Sequence, residues 1–385
     1  MDSLRGCFQG VLRHLPSGHA TLVPDAHLPQ GAWEAAAELP VLPQVRREVA
    51  ALLARKEIFR AGYTDGDSPA VLCEKMIAEY MGFKYCVAVN SHSSALFVAL
   101  VAAGVRSGTR VLASALACAT ATSAICQAGG DLVLVESHGD LSIDVRDLAS
   151  KAEQTGARYL VLSHLHCSAL DADGVVQECN ARGIVIIEDC ADSLGSWYDG
   201  RHIGHHGFVC CVSAQPNAVI HCGDGGFAAT DDVGLAACMA ALAGSYSAEF
   251  KAHFAAPESA VFGAIDQGAY PCYSLQMSNV MAAVLRWELG SVELRAGEAN
   301  KRHQRLAVRF AALLEVAGEL RSALDVEVPQ VPQRARPCLN SFGFSAALGP
   351  RALAAALAAA RRRGVPLQCL ADVGGARSLS MDVEP

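Results

Sequence analysis

Lysine is scarce in this sequence. Six lysines, at positions 56, 75, 84, 151, 251 and 301, serve 385 residues, and arginine far outnumbers them. Charged residues of both signs make up only 18% and hydrophobic residues 52%, which excludes a disordered chain. The net charge of −8 argues against nucleic acid as the main partner, because neutralising phosphates takes a surplus of cations. No apolar run reaches the roughly 20 residues of a membrane-spanning helix, so no membrane partner is expected. The opening stretch MDSLRGCFQGVLRHL lacks an apolar core followed by a small-residue cleavage site, and a cytoplasmic location is expected. No CxxC pair occurs among the 15 cysteines, which removes the commonest zinc and iron–sulfur spacings. No metal is expected. Most cysteines, Cys86, Cys126 and Cys210 among them, sit in apolar stretches and read as small core side chains in a reducing compartment. Internal repeats are absent as well.

What is present is a regular alternation. Residues 1–57 are mixed and rich in proline, and read as an N-terminal arm with one helix near 44–56. From about 70 onward, helix-like and strand-like segments take turns. Helices are expected at 70–81, 93–104, 118–128, 143–153, 174–182 and 232–244. Short apolar strands are expected at 85–90, 110–114, 131–136, 159–164, 183–189, 209–214 and 226–230. Strands that are apolar throughout and alternate with helices predict a mostly parallel central sheet covered by helices on both faces, an α/β fold. One long helix is expected over 276–318, linking to a small α+β unit containing FGFSA and ALAAALAAARRRG. The expected division is 1–57, a large domain over 58–275, and 276–385.

Ligands of such sheets bind at the carboxyl ends of the strands, so the residues there carry the most information. Asn90-Ser91-His92-Ser93-Ser94 comes after the strand at 85–90 and opens a helix. It reads either as a phosphate cradle or as an ordinary serine cap. Glu188-Asp189 ends an otherwise apolar strand, where an acid is costly unless paired. It reads as a partner for a protonated ring nitrogen or as the N-cap of the next helix. Ser213 ends the next strand, ahead of a Gly-Asp-Gly-Gly turn at 223–226.

In this order the pieces resemble the DegT/DnrJ/EryC1/StrS family of sugar aminotransferases. The resemblance covers about 58–300. It is carried by AGYTDGDSPAVLCEKMIAEYMGFKYCVAVNSHSSAL, SGTRVLAS, LSIDVRDL, IIEDCADSLGSWYDGRHIGHHG, SAQPNAVIHCGDGGFAAT and YSLQMSNVMAAVLRWEL. It implies a fold-type I enzyme dependent on pyridoxal 5′-phosphate or its pyridoxamine form, working as a homodimer. It also implies transfer of an amino group from a donor to a keto sugar or keto cyclitol, in a secondary-metabolite or polysaccharide pathway. Carried over residue by residue, Ser91, His92, Ser93 and Ser213 fall on phosphate-binding positions. Asp189 falls on the acid that pairs with the ring nitrogen, Asp192 near the ring's phenolic oxygen, and Cys118 on the ring-stacking aromatic.

The departures are as informative. Ala218 occupies the position of the Schiff-base lysine, and alanine can form no imine and carry no proton. His92 replaces a glycine, Cys118 an aromatic and Ala214 a phenylalanine. Ser274 and Gln276 replace an asparagine and an arginine, and the C-terminal domain is expected to be shortened. Three readings stay open. One is an aminotransferase with its lysine replaced. Another is a lysine-independent enzyme resembling sugar dehydratases, with His221, His92 or His166 as the base. The third is a non-catalytic homologue that pairs with an active subunit in a mixed dimer. Lys251 is a remote substitute for the missing amine.

Overall fold

The computed structural model describes residues 20–24, 43–60, 67–138, 142–165, 172–216, 218–244, 270–317, 331, 333–339, 344–346 and 367–369, with scattered helical positions between 351 and 362. His166 and Lys251 lie outside the described residues, as does most of 347–385.

A seven-stranded sheet forms the centre. Its strands are β2 (Tyr85–Val89), β3 (Arg110–Ser114), β4 (Asp131–Val135), β5 (Tyr159–Ser163), β6 (Val185–Asp189), β9 (Val209–Ser213) and β10 (Gly226–Thr230). They lie in the order β2-β10-β9-β6-β5-β3-β4. β10 runs antiparallel to both its neighbours, and the other adjacent pairs are parallel. Six strands therefore point their carboxyl ends the same way. Each expected strand is present to within two residues, because a strand buried on both faces is apolar along its whole length.

Helices cover both faces. In chain order they are α1 (Pro43–Arg55), α2 (Pro69–Met81), α3 (His92–Ala102), α4 (Ala119–Gln127), α5 (Val145–Thr155), α6 (Asp173–Arg182), α7 (Val233–Ala243), α8 (Asn279–Leu289) and α9 (Val292–Ala317). One face packs Ile77, Met81, Phe227 and Leu285, the other Leu96, Leu100, Ile125 and Leu242. A third group around Leu112, Leu148 and Leu160 closes the far side. Each such fully buried side chain contributes about 1.5–3 kcal/mol. Among the cysteines, Cys86 and Cys210 are core side chains as expected, and Cys126 is half-buried.

Local signals set the helix ends. Ser68 caps α2 by accepting from Val71 N at 3.3 Å, Pro69 takes the first helical position, and Gly82 closes it at φ 81°. The single helix expected over 276–318 is two. Gly290 weakens helical continuation, Ser291 donates back to Glu288 O at 2.7 Å, and α9 starts anew. Two small sheets add to the expected elements. In one, β1 (Ala20–Pro24) lies between β12 (Phe344–Ala346) and β13 (Leu367–Cys369), antiparallel to both. In the other, β7 (Trp197–Tyr198) and β8 (Arg201–His202) form a hairpin over Asp199 (φ 50°) and Gly200 (φ 80°), extended by β11 (Ala335–Arg336).

Candidate active site

The site is built from the carboxyl ends of β2, β3, β5, β6 and β9. Ser91 comes just after β2 and caps α3, its hydroxyl accepting from Ser94 N at 3.1 Å. Ser94 in turn donates to Asn90 Oδ1 at 2.7 Å. The capping role is thus real. It leaves the N–H groups of His92 and Ser93, the first two helical positions, with no acceptor inside the helix.

Gly226 fits the start of β10 against this turn. A Cβ at 226 would lie 2.5 Å from Ser91 O and 2.7 Å from His92 N, so only glycine allows the approach. In the ladder Gly226 faces Ser213. Ser213 is buried, and its hydroxyl accepts from Gln215 N at 3.2 Å. The loop between them is tied at its neck by Ala214 N to Gly225 O, 3.0 Å, and Cys222 N to Ala214 O, 3.1 Å. Ala218 is half-buried in this loop, its N–H donating to Gln215 O at 2.9 Å. His221 is half-buried three residues on, with no side-chain bond to a described residue.

Glu188 and Asp189 point to opposite faces of β6, as consecutive strand residues must. Glu188 is fully buried and fully used: it meets His164 Nε2 at 3.0 Å and accepts from His206 N at 2.9 Å and Gly207 N at 2.6 Å. It organises the IGHHG segment. Asp189 faces the ligand end. Ser163 Oγ donates to its Oδ2 at 2.9 Å, and Ala191 N to its Oδ1 at 3.2 Å. His92 Nε2 lies 3.0 Å from Oδ1, at ion-pairing distance but off the line of a good hydrogen bond. Burial pushes the Asp189 carboxyl up. The neighbouring His92 imidazole, with the donors Ala191 N and Ser163 Oγ, outweighs burial and holds it below the ordinary carboxylate range. The acid is therefore kept ionised inside the protein.

Cys118 precedes α4, with its Sγ 2.7 Å from Thr120 Oγ1. Burial, then the Asp189 charge, raises its thiol, so it stays protonated. Asp192 is buried on the turn after β6 and adds to the same negative field. The segment carrying Ser274 and Gln276 lies alongside: Asn90 N donates to Leu275 O at 2.8 Å, and Gln276 bridges to Val89. Ser163 joins the site through Asp189 and His164 supports Glu188 on the other face, neither singled out from the sequence. The signal was there, since they close an apolar strand with polar residues just as Asp189 does. Among the described residues no group of three or more His, Cys, Asp or Glu side chains could hold a metal ion, and no helix is long and apolar enough to cross a membrane.

The chain matches the model of the DegT/DnrJ/EryC1/StrS aminotransferase family over residues 53–332. It is similar to an L-glutamine:2-deoxy-scyllo-inosose aminotransferase of Streptomyces kanamyceticus, 28% identical over 68% of this chain and 57% of that one. It is also similar to a GDP-perosamine synthase of Caulobacter vibrioides, 30% identical over 44% of this chain and 46% of that one. The chain thus spans about half the length of these curated relatives. Among solved structures, Bacillus subtilis NtdA, with bound pyridoxamine phosphate, superposes with a TM-score of 0.61 at 19% identity, covering 79% of this chain and 63% of that one. Pyridoxal 5′-phosphate is the cofactor of this family, and the fold is fold-type I. With the match covering most of its length, this chain belongs to the DegT/DnrJ/EryC1/StrS aminotransferase family.

Proposed function

We propose that this chain is a protein of the sugar and cyclitol aminotransferase type without a Schiff-base lysine, which holds the cofactor without a covalent link. The residues present fit the cofactor at two ends. Asp189 offers an ionised, buried carboxylate to a ring nitrogen. The N-terminus of α3, with Ser91, Ser93 and Ser213 around it, offers N–H and hydroxyl donors to a phosphate. The third attachment is missing. By the resemblance, Ala218 falls on the family's lysine position, in a loop whose neck is closed by two backbone hydrogen bonds.

No described lysine lies in the loop that carries Ala218. Lys84 precedes β2 and so sits at the opposite ends of the strands. Lys75 pairs with Asp67, and Lys301 with Glu298, both on the surface. Lys56 comes after α1, and Lys151 lies within α5. When bound, the cofactor supplies an electron sink for amino transfer. The chain's part is to orient it through Asp189 and the α3 cradle, with the pyridoxamine form the natural ligand because its amine needs no lysine. The substrate class is a keto sugar or keto cyclitol with its amino donor, supported by the activities of the inosose and perosamine relatives. Lacking the lysine's proton transfer, the chain binds these molecules without running the full transamination cycle by itself.

The observation that carries this reading is the buried, ionised Asp189 beside the open N–H groups and serines at the start of α3. Titration with pyridoxal and pyridoxamine phosphates, with absorbance readout and then borohydride treatment, tests it. The wild-type chain should bind both reversibly and retain no label after borohydride and denaturation. Ala218→Lys should retain a covalent label at position 218. If neither protein binds either compound, the cofactor reading is wrong.

A further inference from the structure

The His92 imidazole is rooted in one end of the candidate cofactor site and finishes at the other. Its backbone is the first residue of α3, in the turn that would hold the phosphate. Its Nε2 lies 3.0 Å from Asp189 Oδ1, with side chains 1% and 3% exposed. The pattern that this chain resembles has glycine there, and glycine has nothing to reach with. Building on the cofactor reading above, we propose that His92 is a built-in competitor for the ring nitrogen's place on Asp189.

Three observations support this. A buried carboxylate without a partner is costly, and His92 stands 3.0 Å from this one within the same chain, so Asp189 has a neighbour before any cofactor arrives. The contact lies at ion-pair distance but is poorly aligned, so it stabilises Asp189 while remaining displaceable. The stronger, aligned donors to Asp189, Ser163 Oγ and Ala191 N, come from β5 and from the turn after β6. An entering pyridinium need not displace them. His92 thus sets how tightly the chain holds its cofactor, in the same molecule that has lost the covalent anchor.

The test is the dissociation constant for pyridoxamine phosphate, measured by absorbance in the wild type, His92→Gly, His92→Gln and Asp189→Asn. His92→Gly should bind about tenfold tighter or more, a difference of about 1.4 kcal/mol. His92→Gln, which keeps much of the volume and removes the imidazole, should fall between, and it covers the case in which the glycine variant does not fold. Without ligand both variants should melt below the wild type, and saturating ligand should restore more of their melting temperature than it adds to the wild type. In an Asp189→Asn background the gain from His92→Gly should vanish. Unchanged or weaker binding in both His92 variants overturns the proposal, and assigns His92 to holding Asp189 in place from behind. Failure of every variant, Ala218→Lys included, to bind either phosphate overturns the cofactor reading itself.

Discussion

An alanine at position 226 would put a methyl carbon 2.5 Å from Ser91 O, a distance that real contacts do not reach. Backbone lies on both sides of the clash, so neither side can yield by a rotamer change. Gly226→Ala should therefore cost about 1–3 kcal/mol of stability and pull β10 away from the start of α3. Urea denaturation measures the first effect. A loss of pyridoxamine phosphate binding larger than the stability loss explains would report the second, and a variant as stable as the wild type would show that the turn has room to move. At this scale the sequence is half legible. Asp189, Ser91 and Ser213 announce themselves as polar residues at the ends of apolar strands. The His92–Asp189 contact does not, because 97 positions separate the two and no spacing rule encodes how far a side chain reaches. Ala218 is legible only as a substitution within a pattern. Nothing local marks an alanine as a site.

Elements were the most legible level, since their periodicities stem from burial alone. The central strands are apolar runs of a length that fits no helix. The hairpin of β7 and β8 also carried its signal, Asp199-Gly200 at positive φ, but its strands are two residues long and show no alternation. That hairpin holds His202, which is fully buried and accepts from Gly204 N at 3.1 Å through Nδ1. Burial, with the nearby His164, His205 and His206, pushes its pKa down to about 3. The unfolded chain takes up this proton below about 6.5, while the folded chain refuses it until about 3. The stability contributed by a neutral His202 is thus present above about 6.5 and is lost progressively as pH falls toward 3. His206 is shifted the same way and adds to the slope. In urea denaturation between about pH 7 and 4, the wild type should lose stability toward the acid side. His202→Asn keeps an acceptor for Gly204 and should flatten that slope by up to about 1.4 kcal/mol per pH unit. Equal slopes would mean that His202 is not held neutral.

Across the whole molecule, the least legible feature is how the two ends of the sequence meet. Residues 1–57 read as an arm, yet β1 is the central strand of the small sheet, with Leu22 opposite both Phe344 and Cys369. Pairing between segments more than 300 residues apart leaves no trace in composition or periodicity, because each strand is short and its register is set by a partner far away in the sequence. The ordering matters for stability. Among the described residues β12 and β13 do not pair with each other, and β1 is the strand that joins them. Removing residues 1–24 should leave both strands with open edges, which cost backbone hydrogen bonds and invite misassociation. The large sheet does not contain β1 and should keep its fold. Limited proteolysis read out by mass spectrometry separates the two outcomes: the truncated chain should be cut within 340–370 at protease levels that spare the full chain, while the 67–244 region stays protected. An unchanged cleavage pattern would show that β12 and β13 are held by contacts other than β1. A general collapse of protection would instead make the N-terminal strand part of the fold that carries the site.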